Sequence, residues 1–64
     1  MAISMKAARV NAGLTQTEAA EALHISKGTL SGYESGKNIP KVNMAQKMAE
    51  LYKLSTNDII FFEE

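Results

Sequence analysis

Three places in this sequence hold residues that could do chemistry: the lone His24, the charged residues Arg9 and Glu34, and the polar stretch running from Ile25 to Lys37. His24 invites a metal or general-base reading, but it is the only histidine, there is no cysteine, and no carboxylate stands at useful spacing from it. A surface histidine at a helix C-terminus, favourable to the helix dipole when protonated, is the expectation. The serines and threonines fall where helix caps belong, and the glycines match no phosphate-loop spacing. No catalytic constellation is present, no enzyme activity is expected, and no cofactor or metal is called for.

Arg9 falls on the apolar face of a first helix and Glu34 near the edge of the packed face of a third. A carboxylate or guanidinium left alone in such a position is costly. Either both lean out to solvent or they pair with each other. Pairing is the expectation taken here, and breaking a well-buried pair of this kind costs about 3–5 kcal/mol.

The stretch Ile25-Ser26-Lys27-Gly28-Thr29-Leu30-Ser31-Gly32-Tyr33-Glu34-Ser35-Gly36-Lys37 reads as a short helix, capped by Ser26 and terminated by Gly36. Gly28 and Gly32 lie inside it, each costing about 1 kcal/mol relative to Ala. At about 100° per residue, Leu30, Tyr33 and Glu34 share one side and Gly28, Ser31, Gly32 and Ser35 the other. Both glycines are therefore expected on the outer face, where they strip side chains from a surface and leave packing untouched.

The elements that must position these residues are helical, because apolar residues recur at helical spacing and strand-like alternation is absent. Met5, Ala8, Arg9 and Ala12 form one face of a first helix, closed by Gly13. Thr15-Gln16-Thr17-Glu18 is a capping-box sequence that opens a second helix. Its small apolar face of Ala19, Ala20, Ala22 and Leu23 suits close approach of two helices. Only Ile25 and its two neighbours separate this helix from the third, the short connection that a helix-turn-helix corner requires. Beyond Pro40, a fourth helix carries Val42, Ala45, Met48, Ala49 and Tyr52 on a wide apolar face. Ser55-Thr56-Asn57-Asp58 signals a further cap and a short fifth helix through Ile59 and Ile60.

At 64 residues the chain is expected to be one domain, residues 1–64, with no linker, repeat or low-complexity segment. Without cysteine, its stability must come from helix packing, from oligomerisation, or both. No apolar run approaches membrane-spanning length and no signal-peptide pattern opens the chain, so a cytoplasmic location without membrane partners is expected. The formal net charge is zero, yet it is unevenly placed. Residues 24 to 48 carry Lys27, Lys37, Lys41 and Lys47 against Glu34, while the tail holds Glu50, Asp58, Glu63 and Glu64 against Lys53. Such polarity along the chain says more than the sum does.

Taken together, Arg9, Gly13-Leu14-Thr15-Gln16, Glu18, Ala20, Leu23, Ile25-Ser26, Leu30, Glu34 and Gly36-Lys37 resemble the Xre/Cro-type phage-repressor helix-turn-helix domains. Pro40, Ala45, Met48-Ala49, Leu54-Ser55 and Asp58-Ile59 extend the resemblance over nearly the whole chain. It implies an all-α, compact five-helix lambda-repressor-like bundle, with the helix-turn-helix at about residues 15–36. It further implies a sequence-specific transcriptional regulator, a repressor that binds a palindromic operator in double-stranded DNA as a homodimer. Helix two would cross the DNA backbone, and helix 26–35 would lie in the major groove.

Carried over position by position, the resemblance makes Gln16 a phosphate contact that also braces the recognition helix. Lys27, Gly28, Ser31 and Gly32 would face the bases, and Thr29 could reach a base or a phosphate. The loop after helix three would supply phosphate contacts through Gly36, Lys37 and Asn38, with Lys41 nearby. The Arg9–Glu34 pair is likewise a feature of many relatives. Where those relatives carry long polar side chains, this chain has Gly28 and Gly32, leaving Lys27 as the long side chain best able to reach guanine.

Met44, Met48 and Leu51 form a second apolar row on helix four, and Phe61 and Phe62 stand at the end of the chain. Either a small core needs all of them, or Met44, Leu51, Phe61 and Phe62 form a dimer interface. The bare recognition face and low basicity also fit a different class, a protein-interaction module or antitoxin subunit on the same fold. Its partner would be a protein such as a toxin or an antirepressor, and its DNA binding weak or absent.

Overall fold

The computed structural model describes residues 2–61, and these form four α-helices, one 3₁₀ turn and a two-stranded parallel sheet. In chain order they are β1 (Ile3–Ser4), α1 (Met5–Asn11), α2 (Gln16–Leu23), α3 (Lys27–Glu34), α4 (Val42–Leu51), the 3₁₀ turn Thr56–Asp58 and β2 (Ile59–Ile60).

Local chemistry sets most of the boundaries. Ser4 opens α1 by accepting a hydrogen bond from the Ala7 amide at 3.0 Å. Thr15 opens α2 with a complete capping box: the Glu18 amide donates to Thr15 Oγ1 at 3.1 Å, and the Thr15 amide donates to Glu18 Oε1 at 2.9 Å. Those bonds hold the Glu18 carboxyl below its ordinary pKa, the backbone donor of Thr15 contributing most. Ser26 opens α3 by accepting from the Thr29 amide at 3.1 Å. Gly13 and Gly36 end α1 and α3 at positive φ, +77° and +83°, where a residue without Cβ is unstrained. α2 and α4 turn out through His24 and Lys53, both at φ 59°, so two ordinary side chains hold the left-handed position there.

The core is built from one face of each helix. Ala8, Ala19, Leu30 and Met48 are almost wholly inaccessible, with Met5, Ala20, Leu23, Ala49, Tyr52 and Ile59 around them. Ala19 and Ala20 let α2 lie close to both α3 and α4, the two helices it packs against most. The connection from α2 to α3 consists of His24, Ile25 and Ser26. Ile25 is half-buried and anchors that turn against the core.

Several expectations are corrected. Among the described residues there is no fifth α-helix. The Ser55 cap is made, with the Ser55 amide donating to Asp58 Oδ2 at 3.2 Å and the Asn57 amide donating to Ser55 Oγ at 3.1 Å, but it supports a single 3₁₀ turn. Ile59 and Ile60 then run extended and pair in parallel with β1, Ile3 opposite Ile59 and Ser4 opposite Ile60. Adjacent β-branched residues favour that extended state, and the pairing buries Ile59. Two residues per strand are too few to show alternation, which is why helical spacing alone left no sign of a sheet.

Ala12 and Ala22 are exposed and do not join the packed faces of their helices. Val42 is 75 % exposed at the first turn of α4. Met48 belongs to the core, whereas Met44, Leu51 and Phe61 are half-buried and pack against it. Phe62 lies outside the described residues. Gly32 is buried, not bare, for a reason that lies in the loop after α3.

Candidate nucleic-acid interface

The α2–α3 corner is held by a cluster of side chains that meet at Glu34. Arg9 reaches from α1 and grips Glu34 along one edge of its guanidinium: Nε donates to Oε2 at 2.7 Å and an Nη to Oε1 at 3.2 Å. The other Nη donates to the Leu14 carbonyl at 2.8 Å, tying the α1–α2 turn to the same pair. Gln16, the first residue of α2, donates from Nε2 to Glu34 Oε1 at 3.0 Å. Both charged side chains are nearly inaccessible, 9 % for Arg9 and 4 % for Glu34. The bidentate geometry and the neutral donor from Gln16 satisfy a carboxylate that would otherwise be costly to bury.

Tyr52 completes the surroundings of this pair. Its phenolic oxygen is buried and makes no hydrogen bond among the described residues. Burial pushes the Tyr52 pKa up to about 12, with the Glu34 charge adding to the rise and the Arg9 charge opposing it.

Outside this buried cluster lies an open cleft lined by Lys6 and Arg9 of α1, Thr15, Gln16 and Thr17 at the start of α2, and Lys27 at the start of α3. Since Arg9 is matched by Glu34, Lys6 and Lys27 give the cleft its positive character. The amides at the N-terminus of α2 add partial positive charge. Lys6 and Thr17 were not singled out from the sequence. A usable signal existed for Lys6, which stands one turn before Arg9 and so shares its side of α1. Thr17 follows Gln16 at a helix start, a position that composition does not distinguish from an ordinary cap.

The residues nominated from the sequence fall into separate groups on this surface. Lys27, Gly28 and Ser31 are exposed along α3. Thr29 is half-buried, and its hydroxyl shares a hydrogen bond with Ser26 Oγ at 2.9 Å, so it serves the cap of its own helix. Gly32 is covered. Lys37, Asn38 and Lys41 are exposed in and after the loop that leaves α3. Lys41 precedes α4 and makes no side-chain capping bond. α3 therefore presents a run of short side chains, with Lys6, Gln16 and Lys27 gathered at its start and Lys37, Asn38 and Lys41 exposed in the chain that follows its end.

Among the described residues no group of three or more histidine, cysteine or carboxylate side chains is placed to hold a metal ion. No helix among them is long and apolar enough to cross a membrane.

Comparison with known proteins agrees with this geometry. Residues 5–59, from the start of α1 to the first residue of β2, match the helix-turn-helix family. Over 60 residues the chain is 40% identical to the HTH-type transcriptional regulator ImmR of Bacillus subtilis (strain 168), an alignment covering 94% of this chain and 47% of that protein. The chain thus spans about half the length of that relative. With the match running through all four helices and the α2–α3 corner built as described, the chain belongs to the Xre-type helix-turn-helix family.

Proposed function

We propose that the chain is a sequence-specific DNA-binding transcriptional regulator, with residues 1–64 acting as one domain. α3 enters the major groove and α2 crosses the sugar–phosphate backbone. The observation that carries this reading is the pairing of the exposed edge of α3 with the basic cleft at the start of α2. Lys6, Gln16 and Lys27 line one open cleft, which supports a phosphate contact at the start of α2. Lys37 and Lys41 extend the same footprint past the other end of the helix.

We further read the protein as a repressor that binds a palindromic operator as a homodimer. Ile39 and Val42 are 60 % and 75 % exposed, two aliphatic side chains three residues apart where the chain enters α4. Ile39 also borders a groove with Met5, Tyr33, Ile60 and Phe61, next to the C-terminal end of α3. A second copy covering this surface would set two α3 helices at a fixed spacing, as a two-fold operator demands. The same exposed apolar residues favour the alternative, a protein-interaction module or antitoxin subunit that uses this surface for a different protein.

Selection from a pool of random duplexes at low salt, with fluorescence anisotropy on the enriched sequence, tests the reading. A palindromic motif, weakened binding in Lys27→Ala and Gln16→Ala, and a mass that doubles with concentration in sedimentation are expected. Absence of any motif, with neither variant changing binding, would leave the interaction module as the better account.

A further inference from the structure

The two glycines of α3 sit in different surroundings. Gly28 is exposed, and a Cβ placed on it would meet nothing nearer than Ser26 Oγ at 3.9 Å. Gly32 is buried although it lies one turn along the same side of the helix. The loop after α3 covers it: a Cβ on Gly32 would stand 3.0 Å from Asn38 Nδ2 and 3.9 Å from Asn38 Cγ. The Asn38 carboxamide therefore rests against α3 in the space that a side chain at position 32 would fill.

The backbone holds it there. Asn38 N–H donates to the Gly32 carbonyl at 3.2 Å, and Ser35 Oγ donates to the same carbonyl at 3.2 Å. This closure differs from those of the other helices. In α1, α2 and α4 the matching carbonyls of Arg9, Ala20 and Ala49 accept from Leu14, Ile25 and Leu54. In α3 the donor comes one residue later in the chain. The longer step carries the loop back over the helix and brings Asn38 onto the glycine.

We infer that Asn38 is a base-reading residue of the recognition surface, standing in for the side chain that Gly32 lacks. The inference rests on α3 being the DNA-facing helix. Asn38 stays exposed while its carboxamide touches Gly32, so it can face outward from α3. A carboxamide carries one donor and one acceptor at fixed separation, the pattern that adenine N7 and N6 accept and donate in the major groove. Gly32 is then suited to its neighbour in space: a Cβ there would press on the amide at 3.0 Å and push it from this position. Of the two glycines, Gly28 alone leaves the helix surface bare.

Sequences selected from random duplexes by the intact chain, by Asn38→Ala and by Gly32→Ala decide the matter. The wild-type motif should prefer adenine at one position of each half-site. In Asn38→Ala, discrimination at that position should fall from about 5- to 150-fold to near parity, the rest of the motif remaining unchanged. Gly32→Ala, which crowds the amide at 3.0 Å, should blur the same position and no other. A motif in Asn38→Ala identical to that of wild type would overturn the assignment, whether affinity were unchanged or lowered uniformly across sequences as for a phosphate contact. No motif from the wild-type chain would overturn the DNA-binding reading itself, and this assignment with it.

Discussion

Glu34 accepts from Arg9 twice and from Gln16 once, so one carboxylate joins α1, α2 and α3. Replacing it by Ala leaves the Arg9 guanidinium buried with only the Leu14 carbonyl as partner. Glu34→Ala should therefore lower stability by about 3–5 kcal/mol, read from the urea midpoint. Gln16→Ala, which leaves the ion pair intact, should cost about 1 kcal/mol. Equal losses in the two variants would contradict the bidentate pair as the dominant contact. Tyr52 belongs to the same neighbourhood and makes the opposite kind of prediction. Its neutral form is favoured by folding, since the folded pKa is about 12 against 10.0 for the free side chain. The stabilising contribution is present in full below about pH 10 and is lost as pH rises through about 12. Tyr52→Phe should accordingly flatten the fall in stability over that range relative to wild type. Near pH 7 the change should be neutral or stabilising, because it removes a buried hydroxyl that lacks a partner. Thermal melts of the two proteins from pH 7 to 11.5 would show both effects.

The starts of α2 and α3 are legible in the sequence because each uses a side chain whose chemistry is local. Ser26 and Thr15 cap the elements that their positions announce, and Gly13 and Gly36 stand where the chain must turn left-handed. What stayed hidden depends on contacts between distant residues. The Ser55 cap does form, yet the partner that draws Ile59 and Ile60 into a strand is Ile3-Ser4, at the other end of the chain. The side of α3 on which Gly32 lies followed from helical periodicity, but a helical wheel carries no information about a loop folding back onto it. Likewise Val42 fits the apolar pattern of α4 and is nonetheless exposed, at the first residue of that helix. The helix ends also contain unspent stability. His24 and Lys53 occupy a conformation that costs an ordinary L-residue about 1–2 kcal/mol, part of which glycine would return in the unfolded chain. Lys53→Gly should thus stabilise the protein by about 0.5–1 kcal/mol in denaturant titration, and a loss of stability would show that the Lys53 side chain makes an unrecognised contact.

The longest dimension of the domain is 26 Å, shorter than the roughly 34 Å that separates successive major-groove faces on one side of DNA. On the proposed reading, one copy would therefore span a single half-site, and a palindromic operator would take two. The zero net charge of the chain argues against diffuse attraction; on that same reading, affinity for DNA would come from the few lysines near the ends of α3. Each phosphate neutralised contributes about 0.9 to the slope of log affinity against log salt. With one Lys37 in each half-site, Lys37→Ala should make that slope shallower by about 2 for a dimeric complex, measured by anisotropy across a salt series. An unchanged slope would remove Lys37 from the phosphate contacts. The parallel pairing of β1 with β2 has a kinetic consequence at this same scale. The α2–α3 corner closes over a short stretch of chain, whereas Ile3 and Ile59 must find each other across nearly its full length. Loop-closure entropy rises with separation, so this clasp is the contact least able to form before the helices have docked. It should be absent from the folding transition state and the first to open when the protein unfolds, which makes the two isoleucine-bearing strands a governor of how long the folded state lives and leaves the speed of its formation to the helices.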